Sequence, residues 1–293
     1  MATLLTDETI AKLKKFQLSA RQIVEGFLIG LHKSPYHGFS VEFSDHRQYN
    51  VGDPLKNIDW KVVARTERYY VKRYEEETNL RCYILFDHSR SMFYQSGSLS
   101  KMEYARQLAG ALAWLMMSQK DAVGLVTFSN RITQSFLPKA YRSYLAPLFS
   151  ALLSTEPQDT TALLPVLNQM ADAIRKRSLI ILISDLIDEP EAILTGLKHF
   201  RNRHHEVVVF HIQDPQEEQF RFRRETEFID AETNEKIRVT PWQIRNAYLA
   251  NYQSHAQTLK QGCHQAQIEY NPVTTSTPIN DLLVKYLIKR RKG

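Results

Sequence analysis

Cysteine is nearly missing from this chain. Two of its 293 residues, Cys82 and Cys263, are cysteines, and they stand far apart, which removes a disulfide framework and a cysteine-rich metal cluster from consideration. Long apolar runs are missing too. The most apolar stretch, Leu179 to Ile183, falls well short of the roughly 20 residues needed to cross a bilayer as a helix. The N-terminus carries Asp7 and Glu8 without a sustained apolar core, so no secretory signal is read there and a cytoplasmic protein is expected. There is no zinc-ligand spacing, phosphate loop or G-x-S-x-G elbow, no internal repeat and no low-complexity segment. Charge of one sign is not in great excess either. A net charge of +6 and a pI near 9.1 permit nucleic acid or an acidic protein as partner without demanding either.

What is present suits one sizeable α/β domain with an extension, since 43% of the residues are hydrophobic and 24% charged. Residues 1 to 31 read as two helical stretches with Ser19 as a cap between them. From Leu31 to Leu80 the texture turns dense in aromatics and charges, with turn signals at Ser34-Pro35 and Gly52-Asp53-Pro54. Short strands are predicted near residues 39–43 and 69–74. From Leu80 onward, predicted strands and helices alternate, the pattern of a parallel sheet covered on both faces. The strands are expected at 82–86, 123–128, 179–184, 206–212 and 267–272. Helices are expected at 100–119, 141–153 after a turn at Pro138, and then beginning near Thr161, Pro190, Pro241 and Pro278. Residues 228–239 read as a hairpin. The expected division is therefore an extension, 1–79, packed on a main domain, 80–293.

The most informative stretch is Arg81 to Met92, RCYILFDHSRSM. An apolar run of this length, ended by polar residues, suits a strand buried on both faces. It delivers Asp87, Ser89 and Ser91 to the carboxyl end of the sheet, where open α/β folds bind ligands. Oxygen donors of this kind suit Mg²⁺ held partly through water. Asp185 ends another predicted strand, and Thr161, with Thr160 as the adjacent alternative, opens a helix. Adjacency of the two strands would gather all five residues in one crevice.

The set Asp87, Ser89, Ser91, Thr161 and Asp185 resembles the metal-ion-dependent adhesion site of von Willebrand factor type A domains, and the element order from 80 to 290 looks like that doubly wound fold. The segment Gly38 to Arg65, GFSVEFSDHRQYNVGDPLKNIDWKVVAR, is similar to the signature of the bacterial domain of unknown function fifty-eight family. The resemblance implies a Mg²⁺ or Mn²⁺ ion that a carboxylate from a partner protein completes. It also implies work beside a MoxR-type AAA+ ATPase, or a client of one, in assembly or maturation.

Two other classes compete with this non-enzymatic adaptor. A metal-dependent phosphoester hydrolase needs a general base near the ion, and His88, inside the motif, is expected to face away from it. The pair His204 and His205 reads as surface. Nucleic-acid binding has the tail Lys289 to Lys292 and the cluster Lys61, Arg65, Arg68, Lys72 and Arg73 in its favour. Glu67 and Glu75 to Glu77 partly cancel that cluster, and a basic tail also complements a final helix dipole. The group Asp45, Arg47, Asp53, Asp59, Trp60 and Arg65 reads as a buried salt-bridge network pinning the extension to the sheet, with a family-specific docking surface as the alternative.

Overall fold

The computed structural model describes residues 11, 13–24, 47–48, 69–71, 80–157, 162–222, 226–229 and 236–292. Helix α1, residues 13–24, carries Leu13, Phe16, Ala20, Ile23 and Val24 toward the core at helical spacing. That single stripe runs past Ser19, which therefore lies inside one helix rather than capping a second. Phe16 meets Phe149 edge-on at 5.1 Å. It also lies against Gly110 of α2 (Lys101–Ser118), where an added Cβ would come within 2.8 Å of the ring. Of the two strands predicted before residue 80, a two-residue ladder is described, β1 (Arg47–Gln48) antiparallel to β2 (Tyr70–Val71). The predicted strand at 39–43, the side chains of the Asp45 to Arg65 group and the basic cluster from Lys61 to Arg73 lie outside the described residues.

The main sheet is built from β3 (Arg81–Asp87), β4 (Ala122–Phe128), β5 (Ile132–Lys139), β6 (Leu179–Ser184), β7 (Glu206–Gln213) and β10 (Glu269–Thr274). Their order is β10-β7-β6-β3-β4-β5, parallel throughout except that β5 runs antiparallel to β4. The inner strands β3, β4, β6 and β7 are buried on both sides because both sides are covered. Cys82, Ile84 and Phe86 of β3 face one core, closed by α1, α2, α3 (Leu145–Ser154) and α8 (Ile279–Lys292). Tyr83 and Leu85 face the other, closed by α4 (Leu163–Ala173), α5 (Pro190–Asn202) and α7 (Pro241–Gln265). Between β7 and α7 come a short helix, α6 (Pro215–Gln219), and a hairpin of β8 (Thr226–Ile229) and β9 (Lys236–Val239).

This is the doubly wound, mostly parallel α/β architecture expected above. The chain winds outward from β3 to β5, then restarts at β6 on the other side of β3. The topological switch point therefore lies between β3 and β6, the strands that end at Asp87 and just before Asp185. β5 is the strand the sequence did not announce, because Pro138 reads as a turn. An edge strand tolerates proline, and β5 is irregular: its register against β4 shifts twice, and a Cβ on Gly124 would lie 2.5 Å from the Phe136 carbonyl oxygen. The opposite edge strand, β10, carries a proline as well, Pro272. Among the described residues no helix is long and apolar enough to cross a membrane.

Candidate functional site

Parallel register brings the motif together. Phe86 of β3 pairs with Ile183 of β6, so Asp87 comes level with Ser184. The Ser184 hydroxyl donates to Asp87 Oδ2 at 2.6 Å, and the Ser89 backbone N–H donates to Asp87 Oδ1 at 2.9 Å. Past the strand end the chain turns through a short 3₁₀ segment, Arg90–Phe93, which lifts Ser91 back beside Ser89, with their hydroxyls 3.1 Å apart. Asp87, Ser89, Ser91 and Asp185 are all buried. Thr161 and its neighbour Thr160 lie outside the described residues, so four of the five expected residues are placed.

Asp185 is held by features that no motif advertised. Leu186, next in the chain, sits at φ 53°, a left-handed conformation that a leucine adopts only under constraint. Its N–H donates to the Ser184 hydroxyl at 3.0 Å, its carbonyl accepts from His255 Nε2 at 3.1 Å, and its side chain is fully buried. Asp185 Oδ2 then accepts from Lys101 Nζ at 2.8 Å, and the same ammonium donates to Glu217 Oε1 of α6 at 2.7 Å. Lys101 has no exposed surface. The two carboxylates outweigh the desolvation of the ammonium and push its pKa up.

Asp185 Oδ1, by contrast, is buried without a partner. The Asp87 carboxyl is pushed up to about 7, first by burial and then by the negative charge of Asp185. Asp185 and Glu217 thus share one ammonium, and Asp87 adds a third carboxyl group beside Asp185. A deficit of positive charge in a dry crevice is the electrostatic condition of a cation site. Among the described residues no group of three or more His, Cys, Asp or Glu side chains is placed to hold a metal, so hydroxyl donors would have to contribute.

Histidines surround the crevice without entering it as bases. His88 turns away, as expected: Nδ1 donates to the Glu156 carbonyl at 3.0 Å and Nε2 lies 2.9 Å from Thr133 Oγ1 of β5. His211, level with Ser184 on β7, is buried, and burial pulls its pKa down to about 4. His205 is a correction. It is buried rather than exposed, with Nδ1 accepting from the Ser178 N–H at 3.1 Å and Nε2 donating to the Ile174 carbonyl at 3.2 Å.

The loop after the motif is anchored to α6. Asp214, which caps that helix, accepts from the Ser96 backbone N–H at 2.9 Å and from its hydroxyl, and the Tyr94 ring lies 5.9 Å from Lys101 Nζ. At the N-terminus of α2, Ser100 and Glu103 form a capping box, which fixes where Lys101 begins. The sequence carried one signal for this lysine: it precedes Tyr104 and Ala105 by three and four positions, on the helix's apolar stripe. Ser184 and Glu217 had none.

An uncharacterized protein of Mycobacterium tuberculosis is 25% identical over 211 residues, 71% of this chain and 66% of its own length. The chain thus spans just under two thirds of that relative's length, and an uncharacterized protein of Mycobacterium bovis matches to the same extent. Among solved structures, the conserved hypothetical protein BatB of Bacteroides thetaiotaomicron is similar at 16% identity and TM-score 0.49, over 73% of this chain and 100% of that one. The VWA domain of SpRpn10 is similar at 12% identity and TM-score 0.41, over 70% and 93%. The family model described as protein of unknown function DUF58 matches residues 45–258, most of the chain and all of the crevice, and the chain belongs to that family.

Proposed function

We propose that the chain is a non-enzymatic protein-interaction adaptor whose crevice holds a divalent cation, Mg²⁺ or Mn²⁺. Asp87, Ser89, Ser91 and Asp185, with Thr161 or Thr160, would hold it. The observation that carries this reading is the unpartnered, buried Oδ1 of Asp185 beside a carboxyl group whose pKa is raised toward neutrality. Buried polar atoms in native proteins nearly always find a partner. A cation would satisfy Oδ1 and relieve the repulsion between the two aspartates in one step. The donor set also fits, because hard oxygens with few direct charges suit a cation that keeps water in its shell.

When bound, the ion supplies an electrophilic centre with room for a carboxylate from another protein. The chain's own residues do the rest. The Ser184 hydroxyl and the Ser89 N–H orient Asp87. Lys101 holds Asp185 and keeps it from being drawn wholly to one side. The β3–α2 loop, tied to α6, keeps both serines in register. The histidine geometry favours an adaptor over a phosphoester hydrolase, since both ring nitrogens of His88 are already engaged. The partner, on the family resemblance, is a MoxR-type ATPase or a client that it remodels.

Isothermal titration of Mg²⁺ and Mn²⁺ into the full chain tests the reading. One binding site is expected, and the double change Ser89→Ala with Ser91→Ala should abolish it while leaving the thermal transition intact. Unchanged metal affinity in that variant would refute a role for the two hydroxyls and, with it, the proposal.

A further inference from the structure

A slot walled by aromatic rings and one carboxylate lies between the loop after the motif, α6, the β8–β9 hairpin and α7. Its cavity volume is about 350 Å³, and Tyr94, Phe220, Phe222, Phe228, Tyr248 and Glu217 line it. That is the lower end of the roughly 300–1,000 Å³ of ligand pockets, room for one long side chain rather than for a helix or a strand.

The rings hold one another in place. Phe220 follows α6 at φ 47°, a left-handed position that commits its side chain to this side of the loop. Phe222 meets Phe220 edge-on at 5.0 Å and Phe228 edge-on at 4.9 Å, and Tyr248 lies 4.3 Å from Phe220. An incoming group therefore meets a preformed surface, and little ordering opposes its entry. The mouth is open, since Ile237 is 59% exposed and Tyr94 38%.

Charge decides what fits. Among the described residues that line the slot, Glu217 is the one that carries a charge. Lys236 and Arg238 alternate along β9 with Ile237 and Val239, which line the slot, so they stand on the hairpin's other face beside Glu227. Arg245 donates to the Phe220 and Gln219 carbonyls. Glu217 accepts from Lys101, but it shares that ammonium with Asp185, and its side chain keeps 22% of its surface. The two tyrosines of the slot feel the balance. Burial does most to raise the pKa of Tyr94 and of Tyr248, and on both the negative charge of Glu217 weighs more than the positive charge of Lys101. Aromatic rings under a negative field favour a cation. Of the two cationic side chains long enough to enter, arginine is the more weakly hydrated, and its planar head stacks on rings while pairing with a carboxylate.

We infer that the slot is a docking subsite for an arginine side chain of the protein partner, whose guanidinium lies against the rings and pairs with Glu217. The inference rests on the reading of the chain as a protein-interaction adaptor and needs no ion in the crevice.

Three probes test it: the Nα-acetyl amides of arginine, lysine and leucine, titrated in EDTA into the full chain with labelled Ile, Leu and Val methyl groups. NMR shifts at Ile237, Val239 and Ile244, which also line the slot, report occupancy. The arginine probe is expected to saturate these shifts and to bind at least about fivefold more tightly than the leucine probe. Tyr94→Leu removes a ring but keeps apolar bulk, and Glu217→Gln removes the charge but keeps the shape. Each should weaken the arginine probe about threefold or more and leave the leucine probe within about twofold. Equal binding of leucine and arginine would overturn the inference in favour of a plain apolar pocket. Lysine binding as tightly as arginine would overturn the assignment to a guanidinium. Arginine binding indifferent to both variants, or no shift with any probe, would overturn the slot as a site. Because EDTA is present throughout, each of these failures leaves the metal reading of the crevice standing, and a failed Mg²⁺ titration leaves this inference standing.

Discussion

The same two strands, β6 and β7, begin in one buried polar cluster and end in another, and the two clusters are built on opposite principles. At the amino ends, every ring nitrogen of His205 is matched to a backbone group. Arg201 adds bonds to the His205 carbonyl at 2.9 Å and the Ala266 carbonyl at 3.2 Å. Nothing is left over. At the carboxyl ends, Asp185 Oδ1 has no partner, two aspartates repel each other, and a buried lysine compensates only part of the charge. A satisfied polar network rigidifies a fold, and an unsatisfied buried group marks a place that packing and hydrogen bonding alone do not account for. Both ends are equally buried, so burial alone does not separate structure from site. The balance of donors, acceptors and charge does.

The contrast can be broken most forcefully at Lys101. Lys101→Met would strand Asp185 and Glu217 as buried carboxylates, and urea denaturation in EDTA should show a loss of about 3–5 kcal/mol. Added Mg²⁺ should restore part of it. A loss below about 1 kcal/mol would mean that the crevice is wetter than its geometry indicates.

Titration sharpens the comparison, because Asp87 at one end and His205 at the other respond to pH with opposite sign. The folded pKa of Asp87 is raised, to about 7. Its contribution is therefore complete below the ordinary carboxylate range and is lost as pH rises through about 7. For His205 the folded pKa is lowered by burial. Its contribution is complete above the ordinary histidine range and is lost as pH falls below it. Metal-free protein should thus lose stability between mildly acidic and neutral pH by on the order of 3 kcal/mol. Asp87→Asn should flatten that slope and leave the acid limb in place. An unchanged slope in Asp87→Asn would assign the titration to another group.

The smallest effect is expected at the satisfied end. His205→Leu leaves the Ser178 N–H and the Ile174 carbonyl without partners and should cost about 1–3 kcal/mol by urea denaturation. Mg²⁺ affinity should not move, and a change in it would erase the distinction between the two ends.

The order of elements was legible from residue 80 onward because the buried strands are near-continuous apolar runs and the helices keep a regular stripe. Leu179 to Ser184 and Pro190 announced their elements to the residue. β5 was not legible: one face of an irregular edge strand is wet, so ITQSFLPK alternates weakly, and Pro138 argued for a turn. In the candidate site, the positions of Asp87, Ser89, Ser91 and Asp185 at or beyond the ends of the buried runs of β3 and β6 were legible because polar residues interrupt those apolar runs there. Their supports were not. Glu217 reaches Lys101 from 116 residues away, a contact that only the folded sheet creates, and Ser184 looks like any strand-end serine.

The prolines on the two outer strands, Pro138 and Pro272, have a consequence for how other chains approach. A strand added to a sheet edge must exchange backbone hydrogen bonds along its whole length, and a position without an N–H interrupts that ladder on either side of this molecule. Zippering of another chain onto the sheet, whether by a partner's extended segment or by a second copy on the way to a fibril, is thereby discouraged at both flanks.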